Sequence, residues 1–74
     1  MKVEMEDLIT SMKALNVSKS DAFGIALLLK GRKEEADKLN EFLVECIETN
    51  KKPTSGEILT KAMALVKNKK HNNI

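Results

Sequence analysis

The chain has 74 residues, 42% of them apolar, which is enough for one small globular domain. Its net charge is only +2, from 13 Lys and Arg against 11 Asp and Glu, so charge alone does not indicate a nucleic-acid-binding protein. A single cysteine excludes an internal disulfide, and the longest apolar run, residues 25–29, is too short for a transmembrane helix. We therefore predict a cytoplasmic protein that does not enter the membrane.

Two helices are predicted in the first 30 residues. The first, over residues 3–15, has an apolar stripe at helical spacing. The stripe consists of Met5, Leu8, Ile9, Met12 and Leu15. Asn16 can end this helix with a positive φ. Ser18 or Ser20 can cap a second helix over residues 19–30, and Gly31 suits the left-handed position that follows it.

A third helix is predicted over residues 32–49. Its apolar stripe consists of Ala36, Leu39, Phe42, Leu43, Cys46 and Ile47. Asn50 can adopt a positive φ and Pro53 cannot continue a helix, so both indicate where this helix ends.

The fourth helix is predicted over residues 55–68. Thr54 and Glu57 have the spacing of a capping box at its start. Its predicted core face consists of Ile58, Leu59, Ala62, Met63, Leu65 and Val66. Residues 69–74 are polar and basic, and we expect a flexible, disordered tail. The prediction is an all-α, compact bundle of four short helices, forming one domain over residues 1–68.

The chain is poor in groups that carry out chemistry. His71 is the only histidine and lies in the predicted tail. Cys46 lies on the apolar stripe of the third helix, where a free cysteine usually acts as a small hydrophobe. The three glycines stand alone and form no phosphate-binding loop. We therefore predict no enzymatic activity, cofactor, metal site or small-molecule substrate.

One segment, residues 8–33, resembles the helix-turn-helix of small phage- and plasmid-type repressors. In the turn, the matching positions are Leu15, Asn16, Val17 and Ser18. Ile25 matches the buried aliphatic residue of the second helix. The glycine and basic residues that often follow this helix are matched by Gly31, Arg32 and Lys33. The resemblance implies a DNA-binding regulator that uses its second helix. The DNA contacts would come from Lys19, Ser20, Lys30, Arg32 and Lys33.

The second helix also departs from that pattern. Its body is apolar on nearly every side and carries no Arg, Asn or Gln that could pair with a base edge. Met12 stands where the first helix of such repressors carries a small residue. An apolar helix of this kind is either central in the bundle or has one face that meets a second copy or a partner. For the second case, the predicted interface consists of Phe23, Leu27, Leu28 and Val44.

The third helix has an acidic ridge, which we define as Asp37, Glu41, Glu45 and Glu48. This ridge is either a solvated face or a surface that docks a basic partner and repels nucleic acid. The sequence thus favours a small non-catalytic regulatory or interaction protein that acts on a protein partner, as a dimer. The alternative is the helix-turn-helix-like DNA-binding regulator.

Overall fold

The chain is helical over most of its described length. A computed structural model of the chain describes residues 5–71, and it describes the side chains of residues 5–67. Over this range the chain forms four helices and no strand: α1 (Met5–Ala14), α2 (Lys19–Leu28), α3 (Lys33–Glu48) and α4 (Ser55–His71). The all-α prediction is confirmed. Helix α4 continues to His71, three residues beyond its predicted end, and residues 72–74 of the predicted tail lie outside the described range.

Three residues with positive φ separate the helices. Asn16 follows α1 with φ 66°, Gly31 follows α2 with φ 78°, and Asn50 follows α3 with φ 62°. Asn and Gly tolerate this left-handed conformation better than other residues do. The three predicted helix ends are therefore confirmed by the backbone.

Side chains cap two of the helices. At the start of α2, the Ser18 hydroxyl accepts a hydrogen bond from the Asp21 amide at 3.3 Å. Before α4, the Thr54 amide donates to Glu57 Oε1 at 2.8 Å, and the Glu57 amide donates to Thr54 Oγ1 at 3.1 Å. This reciprocal pair is the predicted capping box, and it satisfies amides that a helix start would otherwise leave unpaired.

The four helices pack as a ring. Neighbours around the ring are α1 and α2, α2 and α4, α4 and α3, and α3 and α1. The Ser11 hydroxyl of α1 donates to Asn40 Oδ1 of α3 at 2.8 Å, in a partly buried position. In this order α2 and α3 occupy diagonal positions. Each helix buries one face toward the centre of the ring and leaves its outer face to solvent.

The core is aliphatic, as the composition predicts. Its buried members are Leu8, Met12, Leu15, Val17, Ala22, Ile25, Leu29, Ala36, Leu39, Leu43, Cys46, Ile58 and Ala62. Partly buried side chains pack against them: Met5, Ile9, Leu28, Phe42, Leu65 and Val66. The Phe42 ring lies at the α3–α4 contact, with Lys61 Nζ 5.5 Å from its centroid. Most of the predicted apolar stripes are therefore confirmed as core.

Three residues predicted to belong to the core are exposed instead. Ile47 of α3 is 42% exposed, and Leu59 and Met63 of α4 are 40% and 53% exposed. All three lie at the edge of their helix's apolar stripe rather than at its centre. The ring of four short helices covers the centre of each stripe and does not reach its edge.

Candidate interaction surface on α2 and α4

One side of α2 is buried and the opposite side is exposed, although both sides are apolar. The buried side consists of Ala22, Ile25, Ala26 and Leu29. On the other side, Phe23 is 49% exposed and Leu27 is 68% exposed. The interpretation of α2 as a central core helix is therefore wrong. Among the described helices, the main packing neighbours of α2 are α1 and α4, and the side of α2 that carries Phe23 and Leu27 is left exposed.

Helix α4 adds two more exposed apolar side chains beside α2. Leu59 and Met63 are four residues apart and therefore lie on the same side of α4. Leu59 lines a groove together with Gly24 and Ile25 of α2, so this side of α4 is turned toward α2. We call Phe23, Leu27, Leu59 and Met63 together the α2–α4 face.

An open groove of about 450 Å³ runs between the first turns of α2 and α4. Its lining consists of Ser20, Asp21, Gly24, Ile25, Ser55, Gly56 and Leu59. Most of these side chains are short or absent, which is why the groove is open. A Cβ atom added at Gly24 would have no neighbour within 4 Å. We call this depression the Gly24 groove. Leu27, three residues after Gly24, lies near it on α2, whereas Phe23 is about 100° away around the helix and does not line the groove.

The structure brings only part of the predicted interface together. Phe23 and Leu27 share the exposed side of α2, whereas Leu28 is partly buried against the core. Val44 is 37% exposed, but it lies on α3 near Ile47, diagonally across the ring from α2. Val44 and Ile47 thus form a separate, smaller apolar patch.

The sequence prediction missed the contribution of Leu59 and Met63. A signal for it is present, because α4 has seven apolar residues in nine positions between Ile58 and Val66. This is more than one buried stripe of a surface helix requires. Such an excess indicates a second apolar side, but it does not say which of the two sides is buried.

The predicted DNA contacts lie at the two ends of α2. Lys19 and Ser20 are exposed in its first turn, and Lys30, Arg32 and Lys33 are exposed beyond its last turn. A helix of 10 residues separates the two groups by about 15 Å. The exposed side between them consists of Phe23, Gly24 and Leu27, which offer base edges no side-chain hydrogen bond.

The acidic ridge lies on a different side of the molecule. Glu41, Glu45 and Glu48 are exposed on α3, and Asp37 is partly buried. Since α3 is diagonal to α2, the ridge belongs to a different corner of the ring from the one that presents Phe23 and Leu27.

The described side chains offer no alternative site for chemistry. Cys46 is buried in the core, at 5% exposure. Between residues 5 and 67, no three His, Cys, Asp or Glu side chains lie close enough together to hold a metal ion. Each buried side-chain nitrogen or oxygen in this range has a hydrogen-bond partner, so none indicates a missing ligand. The most prominent surface feature is thus the α2–α4 face.

Within the described range, no helix combines the length and the hydropathy that crossing a bilayer requires. No protein-family model, curated protein or solved structure matches this chain.

Proposed function

We propose that this is a small, non-catalytic interaction protein of the cytoplasm, which regulates or assembles with another protein chain through the α2–α4 face. The observation that carries the proposal is the exposure of four large apolar side chains on two neighbouring helices, at 49, 68, 40 and 53% for Phe23, Leu27, Leu59 and Met63. Soluble monomers rarely leave such side chains clustered in water unless the cluster binds something.

The size of the face supports the proposal. A large side chain has roughly 150–250 Å² of surface, so the four exposed fractions amount to roughly 300–500 Å² of apolar area. This is within the range of the largest apolar patch on a typical monomer, which is often functional. It is also about half of the roughly 800 Å² that one partner buries in a stable protein interface.

A photo-cross-linking experiment tests this proposal. A photoreactive phenylalanine analogue replaces Phe23, and in a matched variant it replaces Lys38, which is exposed on α3. Both proteins are irradiated in the cells that produce them, and the adducts are identified by mass spectrometry. We expect protein adducts at position 23 and none above background at position 38.

Substitutions at two exposed apolar positions then test whether the adducts depend on the face. Leu27→Lys should abolish the adducts at position 23, because it places a charge at the centre of the face. Ile47→Lys adds the same charge at an apolar position on α3 that is 42% exposed, and it should leave the adducts unchanged. Adducts that are absent at position 23, or that survive Leu27→Lys, would contradict the proposal.

The DNA-binding regulator is the second candidate, and the arrangement of α1, the turn at Asn16 and α2 is the observation that favours it. We expect no duplex binding tighter than about 100 µM by the purified chain at about 50 mM salt, because the exposed side of α2 is apolar. Micromolar binding that weakens steeply at about 200 mM salt would favour the DNA alternative. In that case, replacing Lys30, Arg32 and Lys33 with alanine should weaken binding and flatten its salt dependence.

A further inference from the structure

Helix α2 presents to solvent a stripe of side chains that is apolar at its centre and positively charged at both ends. The stripe consists of Lys19, Phe23, Leu27 and Lys30, and all four residues are exposed. Spacings of four, four and three residues keep them within about 80° of one another around the helix. The Lys30 amide donates to the Leu27 carbonyl at 3.2 Å, so the last turn continues as far as Lys30. We call these four residues the α2 stripe.

We infer that the α2 stripe binds an amphipathic helix of another protein, one that has apolar residues at its centre and a carboxylate at each end. This inference rests on the proposed function, because it names the chemistry of the segment that covers the α2 part of the α2–α4 face. Lys19 and Lys30 are eleven residues apart. This spacing corresponds to about 16 Å along a helix axis, so two carboxylates three turns apart on a partner helix can face both lysines at once.

The charges on α2 are complementary to an acidic partner. Asp21 is the only acid of α2, and it lies about 160° from the centre of the stripe, where it lines the Gly24 groove. The stripe itself therefore carries positive charge only. Arg32 and Lys33 are exposed just beyond Lys30 and add to the positive charge at that end.

The acids of the chain are concentrated on the opposite corner of the ring. Residues 34–48 contain six acids and one lysine, and α3, to which they belong, is diagonal to α2. An acidic helix is therefore attracted to the α2 stripe and repelled by α3. Such a separation of charge directs a charged partner to one face of a protein and disfavours the other.

Other occupants are less complementary to the stripe. Two copies paired about a two-fold axis would bring the lysines of one stripe against those of the other, and like charges across an interface disfavour association. In a bilayer, Phe23 and Leu27 could enter the hydrocarbon only by drawing the ammonium groups of the same stripe toward it, which is costly. Nucleic acid would meet an apolar centre that offers its base edges no hydrogen bond.

The test compares two synthetic, helix-forming peptides of about 18 residues, long enough to span the stripe. Both carry two leucines at the spacing of Phe23 and Leu27. At the positions that face Lys19 and Lys30, one peptide has glutamates and the other has lysines. Fluorescence anisotropy of the labelled peptides with the purified full-length chain, at about 50 mM salt, measures binding. We expect a dissociation constant of about 1–100 µM for the acidic peptide and at least about tenfold weaker binding of the basic one.

Reversing the charges of the stripe should reverse this preference. The double variant Lys19→Glu with Lys30→Glu should bind the basic peptide at least about tenfold more tightly than the acidic one. Lys38→Glu with Lys67→Glu is the matched control, because it changes the net charge equally at two exposed lysines of α3 and α4. The control should retain the preference for the acidic peptide. Circular dichroism shows whether the helices of each variant are intact.

A second pair of variants tests the apolar centre. Leu27→Gln, at a position that is 68% exposed, should weaken binding of the acidic peptide at least about fivefold. Ile47→Gln removes an exposed apolar side chain of α3 and should leave binding unchanged. Equal weakening by both variants would mean that the peptide does not bind along α2.

Several results would overturn the inference. They are no binding of the acidic peptide up to about 1 mM, equal binding of both peptides, or a preference that charge reversal leaves unchanged. Binding to vesicles with about 30% anionic lipid, if Leu27→Gln abolishes it, would assign the stripe to a lipid surface. A dimer in sedimentation equilibrium that the same substitution disrupts would assign it to a second copy. Photo-adducts at position 23 to a protein segment without acids would overturn this inference and leave the proposed function standing.

Discussion

Replacing Leu29 with alanine is expected to lower the free energy of unfolding by about 2–5 kcal/mol. Leu29 is fully buried at the end of α2, and alanine would leave a cavity in the core. A domain of this size has a total stability of roughly 4–11 kcal/mol, so the variant should lose a large part of it. Urea unfolding followed by circular dichroism measures the change.

Leu27→Ala is the matched control, two residues earlier in the same run of leucines. Leu27 is 68% exposed, so its truncation should change the free energy of unfolding by less than about 0.5 kcal/mol in the monomer. The measurement is made at a low concentration, since self-association would otherwise add to the apparent stability. Equal losses for both variants would mean that α2 is buried on both sides, and the α2–α4 face would then not exist.

Glycine-to-alanine substitutions at two positions are expected to have opposite effects. Gly31→Ala should lower the free energy of unfolding by about 1–2 kcal/mol, because Gly31 has φ 78°, and a Cβ atom makes this conformation unfavourable. Gly24→Ala should raise it by about 0.5–1 kcal/mol, because Gly24 is inside α2 and alanine is the better helix former. The free energies of unfolding of the two variants should therefore differ by about 2 kcal/mol. For a domain of this size, this corresponds to a difference of roughly 8–16 °C in Tm.

Neither effect depends on steric contact. A Cβ atom at either glycine would have no neighbour within 4 Å, so the backbone conformation alone decides the sign. Thermal unfolding at low protein concentration measures both changes. A stabilising Gly31→Ala would show that the turn after α2 is not left-handed, which would also change the direction in which α3 leaves α2.

Local features of the sequence determined where the helices begin and end. Asn16, Gly31 and Asn50 were predicted to end helices, and all three have positive φ in the structure. Thr54 has its predicted capping role, and of the two predicted candidates for the start of α2, Ser18 and Ser20, it is Ser18 that caps the helix. These features depend on hydrogen bonds and backbone angles within about four residues, so a sequence contains all the information they need.

Apolar spacing also predicted the centre of each buried stripe. Leu8 and Met12 of α1, Leu39 and Leu43 of α3 and Ile58 and Ala62 of α4 are the clearest cases, and all are buried. Spacing could not predict the edges of the stripes. Leu59, Met63 and Ile47 have the same helical periodicity as their buried neighbours, and only the position of the next helix decides whether they are covered.

Only the tertiary structure decided which side of α2 is exposed. Leu27 and Leu29 are identical residues in one apolar run, yet one is mostly exposed and the other is fully buried. A helix that is apolar on both sides has no amphipathic signal to orient it. Its orientation follows from the ring order of the four helices, which places α1 and α4 beside one side of α2 and leaves the other side, with Phe23 and Leu27, facing water.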